Sequence, residues 1–552
     1  MKHVLTKGLM GGLAASACLM LVPSAHAAAS DQSTCAALTA KITGARLISA
    51  NFVAEGMTQQ VPTGMGPPMS VTLPAHCDIT GVMHERSGEN GQAYAIHFHM
   101  RLPVNWNQRF VFQGGGGSNG DIGDALGAGA GSTSALAQGY AVVSQDSGHD
   151  NRTNNDPSHN GQLAFGFDPQ ARAEYGHTSL KVVADTAKQI IKVYYGRKPL
   201  YSYFIGCSKG GQEGLTFATL YPEEFDGILA SAPGFALPRA AVAEAWDVQS
   251  FGAVTKAFGG DAGSFMALNK TYSDTDLSLV RTAILAACDK DDGVTDGIVG
   301  DYLACTDDKV IPQLQAIACA ETKSDACLST AQIKALVASH NGPVNSAGRS
   351  LYAGWFWPSG IAGNDWRLWK IGSANGQIPA LNVLLGGPAL ASAFTTPPTV
   401  LGPNPQNAFE YQMRFDMDRD AAGIYAVAAP FTTSAWHDVG SRSTDLSAFR
   451  ARGGKLMVPH GESDPVFSLK DTLAWYDDVN SLSNGKADAF VRVFPVPGMC
   501  HCGGGQATTQ YDAFGALVTW VEKHQAPDAL LGTAALAGPS AADLRLSDGG
   551  AL

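Results

Sequence analysis

Gly206-Cys207-Ser208-Lys209-Gly210 is the segment of this chain best suited to covalent chemistry. A short strand pattern, Ser202 to Ile205, precedes it, and a helix pattern begins near Gln212 and ends by Tyr221-Pro222. Strand, tight turn and helix in that order form the G-x-S-x-G nucleophile elbow. The glycines are there because side chains in so tight a turn would strike neighbouring backbone. The turn lifts the Ser208 hydroxyl above a sheet edge, beside a helix N-terminus that favours developing negative charge. A hydroxyl needs a base to take its proton, and in this arrangement a carboxylate and then a histidine follow the serine along the chain. Asp464 lies in the turn His460-Gly461-Glu462-Ser463-Asp464-Pro465, and His501 in the loop Pro497 to Gly503. His460 and Glu462 are weaker competitors for those roles. Acyl transfer also needs N–H donors for an oxyanion: the amide of Lys209 and one from Gln113-Gly114-Gly115-Gly116-Gly117, with Gly115 or Gly116 expected. Glycines let that loop turn its amides toward a substrate without Cβ clashes. A phosphate loop fits less well, because no Gly-Lys-Ser/Thr ending follows.

These residues must be held by regular elements, and the pattern supplies them. Strands are expected at Ala95 to Leu102, Arg109 to Gln113, Tyr140 to Ser144 and Phe225 to Ala230. Ser179 to Tyr194 is a helix with Leu180, Val183, Ala184, Ala187, Ile190 and Ile191 on one face. The alternation predicts an α/β fold, a mostly parallel sheet covered on both faces. It breaks near Pro233 and resumes with strands Lys455 to Pro459 and Phe490 to Val496 and a helix Tyr511 to Lys523. The expected division is 28–236 with 443–552 as one domain and 237–442 as an insertion. Beyond Gln525 the Ala/Gly-rich tail is expected to fray.

The chain has 552 residues, 45% apolar and 16% charged, so it can bury a large core and is not disordered. Its net charge of −12 argues against nucleic-acid binding, which needs a basic face. Lys2, His3 and Lys7, an apolar run from Gly8 to Val22, and Ala25-His26-Ala27 read as a signal peptide over residues 1–27. The run is too short to span a membrane, and no later segment is long enough. Cys18 sits in a poor lipidation context, so a secreted or periplasmic protein is expected. Cleavage leaves nine of the ten cysteines. An oxidising compartment pairs such residues, an odd number leaves one free, and eight cysteines alone allow 105 connectivities.

Four motifs together resemble the tannase/feruloyl esterase family of α/β-hydrolases, which includes the mono(hydroxyethyl) terephthalate hydrolases. They are Gln113 to Gly117; Asp146-Ser147-Gly148-His149; Tyr203 to Gly211 through Phe225-Asp226-Gly227; and Pro497-Gly498-Met499-Cys500-His501-Cys502-Gly503-Gly504-Gly505. The resemblance implies an α/β-hydrolase fold whose insertion is a lid over the active site, and a triad of Ser208, Asp464 and His501. It also implies a disulfide between Cys207 and Cys502. Cys35–Cys77, Cys288–Cys305 and Cys319–Cys327 fit the family's remaining pairs, leaving Cys500 as the odd thiol. The family's usual C-terminal cysteine pair is absent.

The acidic loop Asp289 to Ile298 offers oxygens from a tightly turning chain, as hard cations require. It is not an EF-hand, because Gly300 stands where the twelfth-position glutamate would be. The lids of the resembled family bind calcium at matching positions. That implies a structural calcium held by the side chains of Asp289, Asp292 and Asp296 and the carbonyls of Val294 and Ile298. Tyr352, Trp355, Phe356, Trp357, Trp366 and Trp369 crowd another part of the insertion. They read as its core, with one or two rings free to pack on an aromatic acyl group. His97 and His99 read as structural, and His149 and His177 match family positions without an assigned chemistry.

The sequence therefore predicts a secreted serine esterase for small aromatic esters, with hydroxycinnamate, gallate and terephthalate-type acids all open and no organic cofactor. Two rivals stand beside it. One is a zinc protein using Cys207, Cys500, His501 and Cys502. The other is a non-catalytic ligand-binding member of the fold.

Overall fold

The computed structural model describes residues 25–63, 66–129, 133–258, 263–534 and 544–547. All but the last three positions of the expected leader, Cys18 included, lie outside the described residues. Among the described residues no helix is long and apolar enough to cross a membrane.

The strands are β1 (Arg46–Val53), β2 (Thr58–Thr63), β3 (Gly66–Thr72), β4 (His76–Ser87), β5 (Ala93–Pro103), β6 (Arg109–Gln113), β7 (Ala141–Gln145), β8 (Tyr201–Cys207), β9 (Gly227–Ser231), β10 (Lys455–Gly461), β11 (Val491–Val496), β12 (Thr508–Tyr511), β13 (Ala529–Ala534) and β14 (Leu544–Ser547). Nine of them form one sheet in the order β1-β4-β5-β7-β6-β8-β9-β10-β11. From β7 to β11 every neighbouring pair is parallel, while β1, β4 and β5 extend one edge antiparallel. Both faces of the parallel part are buried. On β6, Phe110 and Phe112 join one core and Val111 the other; on β8, Phe204 faces the first core while Tyr203 and Ile205 face the second. Short apolar runs covered on both sides are what parallel strands require. The helix Ser179–Tyr195 buries Leu180, Val183, Ala184, Ala187, Ile190 and Ile191, the face its periodicity marks. The helix Ala513–Lys523 covers the opposite face through Phe514, Leu517 and Trp520.

The edge strand β1 and its neighbour β4 were not among the strands expected: β1 is half-exposed, and polar residues interrupt the buried positions of β4, so neither gives a sustained apolar run. The tail also departs from expectation. After Gln525 the chain does not simply fray: β13 pairs with β12 on one side and β14 on the other. The composition of the segment hides strands that backbone pairing stabilises. Tyr511 ends β12, and the following helix starts at Ala513 with Asp512 as its N-cap, the Asp512 carboxylate accepting from Gly515 N at 2.8 Å.

Between β9 and β10 the chain is helical and adds no strand to the named sheets among the described residues. Val248, Phe251, Leu277, Val280, Trp357 and Phe409 pack in a core separate from the sheet's. The opening turns of the helix Leu237–Ala257 belong to the main core instead. A buried ion pair, Arg172 Nε to Asp438 Oδ2 at 2.8 Å, ties the end of this segment to the helix Pro169–Ala173.

Four disulfides are present: Cys35–Cys77, Cys207–Cys502, Cys288–Cys305 and Cys319–Cys327. Cys500 is buried and forms no disulfide. Peptide mapping of the non-reduced protein is expected to return these four pairs, with Cys500 alkylated only after denaturation. A Cys207–Cys500 linkage, or a Cys500 that reacts in the native protein, would overturn this packing.

Candidate active site

Ser208 joins β8 to the helix Lys209–Leu220 with φ 64° and ψ −120°, a region that side-chain-bearing residues rarely occupy. The conformation is held from three directions. Ser208 N donates to Ser231 O at 3.1 Å, and Ser208 O accepts from Gln212 N at 3.1 Å and Gly234 N at 3.0 Å. A Cβ on Gly206 would lie 2.5 Å from Gly210 O, and one on Gly210 would lie 2.7 Å from Gly115 O. The flanking glycines are thus sterically required. The helix starts at Lys209 rather than near Gln212, because Ser208 itself occupies the N-cap position. Glycine's low helix propensity masks that start in the sequence.

Asp464 follows β10 and is buried. Its Oδ1 accepts from Val466 N at 2.8 Å and Phe467 N at 3.1 Å, and its Oδ2 lies 2.8 Å from His501 Nδ1. Burial alone would raise this carboxyl. The charge of His501 and hydrogen bonds from His460 and His501 outweigh burial and hold it well below the usual carboxylate range. His460 is buried with Nδ1 2.9 Å from Thr472 Oγ1 and Nε2 shared between Phe467 O at 3.1 Å and Asp464 Oδ2 at 3.4 Å, so both nitrogens are committed and it is no rival base. Glu462 Oε2 accepts from Ser463 Oγ at 2.8 Å and Gly498 N at 3.2 Å. It anchors the loop that carries His501, not the ring itself. His501 packs edge-on to Phe467 and Trp369, with ring centroids 5.3 and 5.8 Å away.

Ser208 and His501 come from strand ends far apart in sequence. The Cys207–Cys502 disulfide joins the residues beside them, with Cα atoms 6.0 Å apart across 295 residues. No hydrogen bond yet joins the Ser208 hydroxyl to the His501 ring among the described residues. Such contacts are often long before substrate binds.

The glycine loop after β6 corrects one expectation. Gly115 N donates to Glu213 Oε2 at 3.0 Å, so that amide is already engaged and is not a free oxyanion donor. Gly114 N donates to Ile205 O at 2.8 Å. The Gly116 amide makes no hydrogen bond to a protein acceptor among the described residues and so stays open to an oxyanion. Glu213 was missed by sequence reasoning. It is fully buried and also accepts from Asn119 Nδ2 at 2.9 Å and Lys209 Nζ at 3.0 Å. Burial draws the Lys209 ammonium below its ordinary value, against the pull of Glu213. The signal was available: Lys209 and Glu213 are four residues apart, hence one turn apart on the same helix face.

Ser208 and Lys209 open onto a cleft walled by Leu163, Phe165, Trp369, Leu385, Phe394 and Phe467. Of the six aromatic residues singled out in the sequence, Trp369 reaches it. Tyr352 and Trp355 join the main core, Trp357 and Trp366 the core of the insertion, and Phe356 packs 4.8 Å from Tyr302. His149 is buried and stacks 4.0 Å behind Phe165, and burial pushes it down to about 4. His177 Nδ1 lies 2.9 Å from Asp438 O. His97 pairs with Asp146 at 2.6 Å and His99 with Asp78 at 3.0 Å. These four histidines brace packing rather than face Ser208.

The zinc alternative fails because Cys207 and Cys502 are spent in a disulfide and no thiolate set exists. Among the described residues no three carboxylate, imidazole or thiol side chains gather as a metal cluster. In the acidic loop, Asp289 Oδ1 accepts from Gly297 N at 3.0 Å, Asp292 Oδ1 from Val294 N at 2.9 Å and Asp296 Oδ1 from Ile298 N at 3.0 Å. Each aspartate thus turns the loop with one oxygen and keeps the other. Asp292 Oδ2 lies against Gly300, where no Cβ would fit. The capping box of Ser273 and Asp276 starts the helix that delivers Cys288 and Asp289 to this loop.

A serine elbow, a buried Asp–His pair and a glycine loop, all at the carboxyl ends of parallel strands, define an α/β-hydrolase. A family model described as "Tannase and feruloyl esterase" matches residues 77–542. The chain belongs to that family and is a carboxylic ester hydrolase. It is 41% identical over 478 residues to the mono(2-hydroxyethyl) terephthalate hydrolase of Piscinibacter sakaiensis, covering 83% of this chain and 78% of that one. Among solved structures it resembles feruloyl esterase B from Aspergillus oryzae, with a TM-score of 0.72 at 23% identity, covering 94% of this chain and 96% of that one. It also resembles the tannin acyl hydrolase of Aspergillus niger, with a TM-score of 0.66 at 20% identity, covering 93% and 91%. Those two likenesses show the shared fold.

Glu462 gives the site a pH signature. Burial pushes this carboxyl from its ordinary 4.5 up to about 7, with Ser463 and Gly498 donating against that rise. A raised carboxyl stabilises the fold while protonated; the contribution is full below the unfolded value and lost as pH rises through the folded one. Glu462→Gln keeps an acceptor oxygen and cannot ionise. Its stability relative to wild type is expected to rise by up to about 3 kcal/mol between pH 5 and 8. Denaturant titrations at both pH values measure this, and a difference independent of pH would contradict it.

Proposed function

We propose that the chain is a secreted serine esterase that cleaves esters of aromatic acids through an acyl-enzyme. The carrying observation is the 2.8 Å Asp464–His501 contact, tied through Cys502–Cys207 to the strained Ser208 elbow. Ser208 Oγ attacks the ester carbonyl as His501 takes its proton. The oxyanion accepts from the amides of Lys209 and Gly116. His501 returns the proton to the leaving alcohol, and Asp464 holds the imidazole in the required tautomer. Water, deprotonated by His501, then adds to the acyl-enzyme and releases the acid. No step calls for an organic cofactor. The apolar cleft with Trp369, Phe165, Phe394 and Phe467 suits a planar aromatic acyl group. The terephthalate monoester named for the Piscinibacter relative supports the same class of acid. Four disulfides favour an oxidising compartment, in keeping with export through the leader over residues 1–27.

Ser208→Ala is expected to fold normally and to lower kcat by a factor on the order of 10⁶ in an aryl-ester assay. Activity within about tenfold of wild type would refute the triad.

Calcium is proposed as a structural ion of the segment 237–442, which would act as a lid. Asp289, Asp292 and Asp296 would hold it by carboxylate and Val294 and Ile298 by carbonyl. Since the three carboxylates alone do not form a cluster, the carbonyls are an essential part of this ligand set. Its chemistry would be neutralisation of a loop that also carries Asp291. A chelator, and separately Asp292→Ala, are expected to lower the melting temperature, because an ion bound only to the folded state stabilises it by mass action. A melting curve unmoved by chelator and by added calcium would refute this.

A further inference from the structure

Glu244 is the one acidic side chain in the lining of the cleft that also contains Ser208. It lies on the helix Leu237–Ala257, two turns beyond Leu237 and so about 10 Å along the helix axis. That helix starts just after Gly234, whose amide donates to Ser208 O at 3.0 Å. Glu244 thus reaches the cleft of Ser208 from a different turn of the chain than the elbow itself. It is only 8% exposed, and its carboxyl makes no hydrogen bond or ion pair among the described residues. Oε2 lies beside the backbone at Gly386, where a Cβ would strike it.

The neighbouring charges are already matched. Lys370 pairs with the buried Asp247, one turn along the helix from Glu244, and stacks 4.3 Å over the Trp355 ring. Lys209, the cation lining the cleft, is bound to Glu213. Burial pushes Glu244 up to about 8, with Lys370 opposing and Asp247 adding to the rise. At neutral pH the group is then mainly a carboxylic acid, able both to donate and to accept. A ring hydroxyl has the same two capacities and no charge. A ring carboxylate would bring a second acid into an apolar cleft that offers no spare cation, at a high desolvation cost.

We propose that Glu244 is the specificity-determining residue of the acyl cleft: it binds a hydroxyl on the aromatic ring of the acyl group and selects against a carboxylate at that position. The proposal rests on the reading of Ser208 as nucleophile and of this cleft as the acyl site. The test compares kcat/KM for methyl 4-hydroxycinnamate, methyl cinnamate and methyl 4-carboxycinnamate with wild type, Glu244→Gln and Glu244→Leu. Wild type is expected to favour the hydroxylated ester over the other two by roughly tenfold or more, because a site built for a hydroxyl rejects analogues lacking it. Glu244→Leu should bring the hydroxyl-to-hydrogen ratio to within about threefold of one, and Glu244→Gln, which still donates and accepts, should keep it above the leucine value. A merely structural role would change all three esters together and leave the ratios intact. A wild-type ratio near one, or a ratio preserved in Glu244→Leu, overturns the proposal. Should the leucine variant not fold, Glu244→Ala takes its place, and a wild-type ratio near one overturns the proposal by itself. Labelling by a serine-reactive phosphonate separates the two layers. A labelled Ser208 with the wrong ratios defeats the proposal alone; an unlabelled protein that hydrolyses no ester defeats the underlying mechanism and the proposal with it.

Discussion

The backbone at Ser208 is the constraint on which the site depends. A serine at φ 64° and ψ −120° is held only because its N–H and C=O are both bonded and its neighbours are glycines. Such a conformation costs on the order of 1–3 kcal/mol and persists where surrounding structure over-determines it. Here the surroundings are the ends of β8 and β9, the helix Lys209–Leu220 and the loop after β6. Glu213 joins two of these, bonding the Gly115 amide and the Lys209 ammonium from one buried carboxylate. The same bond removes Gly115 from the amides of that loop that are open to an oxyanion.

Buried carboxyls divide the work of the site according to their partners. Asp464 has His501, His460 and two backbone amides, and stays ionised. Glu213 has Lys209. Glu462 has only neutral donors, and burial lifts it to about 7. Glu244 has no direct partner, and burial lifts it to about 8. The same functional group thus supplies a negative charge beside an imidazole at Asp464 and a near-neutral acid in the apolar cleft at Glu244. The difference lies in which cations and amides each carboxyl meets, since all four are largely removed from water.

The segment between β9 and β10 completes the cleft while packing in large part on itself. Its separate core explains how it carries its own disulfides and acidic loop without disturbing the sheet. Trp369 and the backbone around Gly386 come from this segment, and Phe467 from the loop after β10. The wall of the cleft is therefore assembled both from this segment and from the loop that carries Asp464.

Local pattern determined a good deal of this protein. The βα alternation, the amphipathic face of Ser179–Tyr195 and the elbow between β8 and its helix are properties of short windows, legible because side-chain spacing and glycine sterics act over a few residues. Ser208, Asp464 and His501 could be named because each follows a strand in the chain order such folds use. Long-range contacts decided the rest. The edge strand β1, its neighbour β4 and the tail strands β13 and β14 depend on backbone pairing that no short window records. That Gly115 is engaged and that Trp369 alone of six aromatic residues faces the cleft follow from neighbours distant in sequence. Glu244 is the clearest case. In sequence it is one acid on a long helix; only the fold strips it of water and of any cation and turns it toward Ser208's cleft, because burial and charge pairing are properties of three-dimensional neighbourhoods.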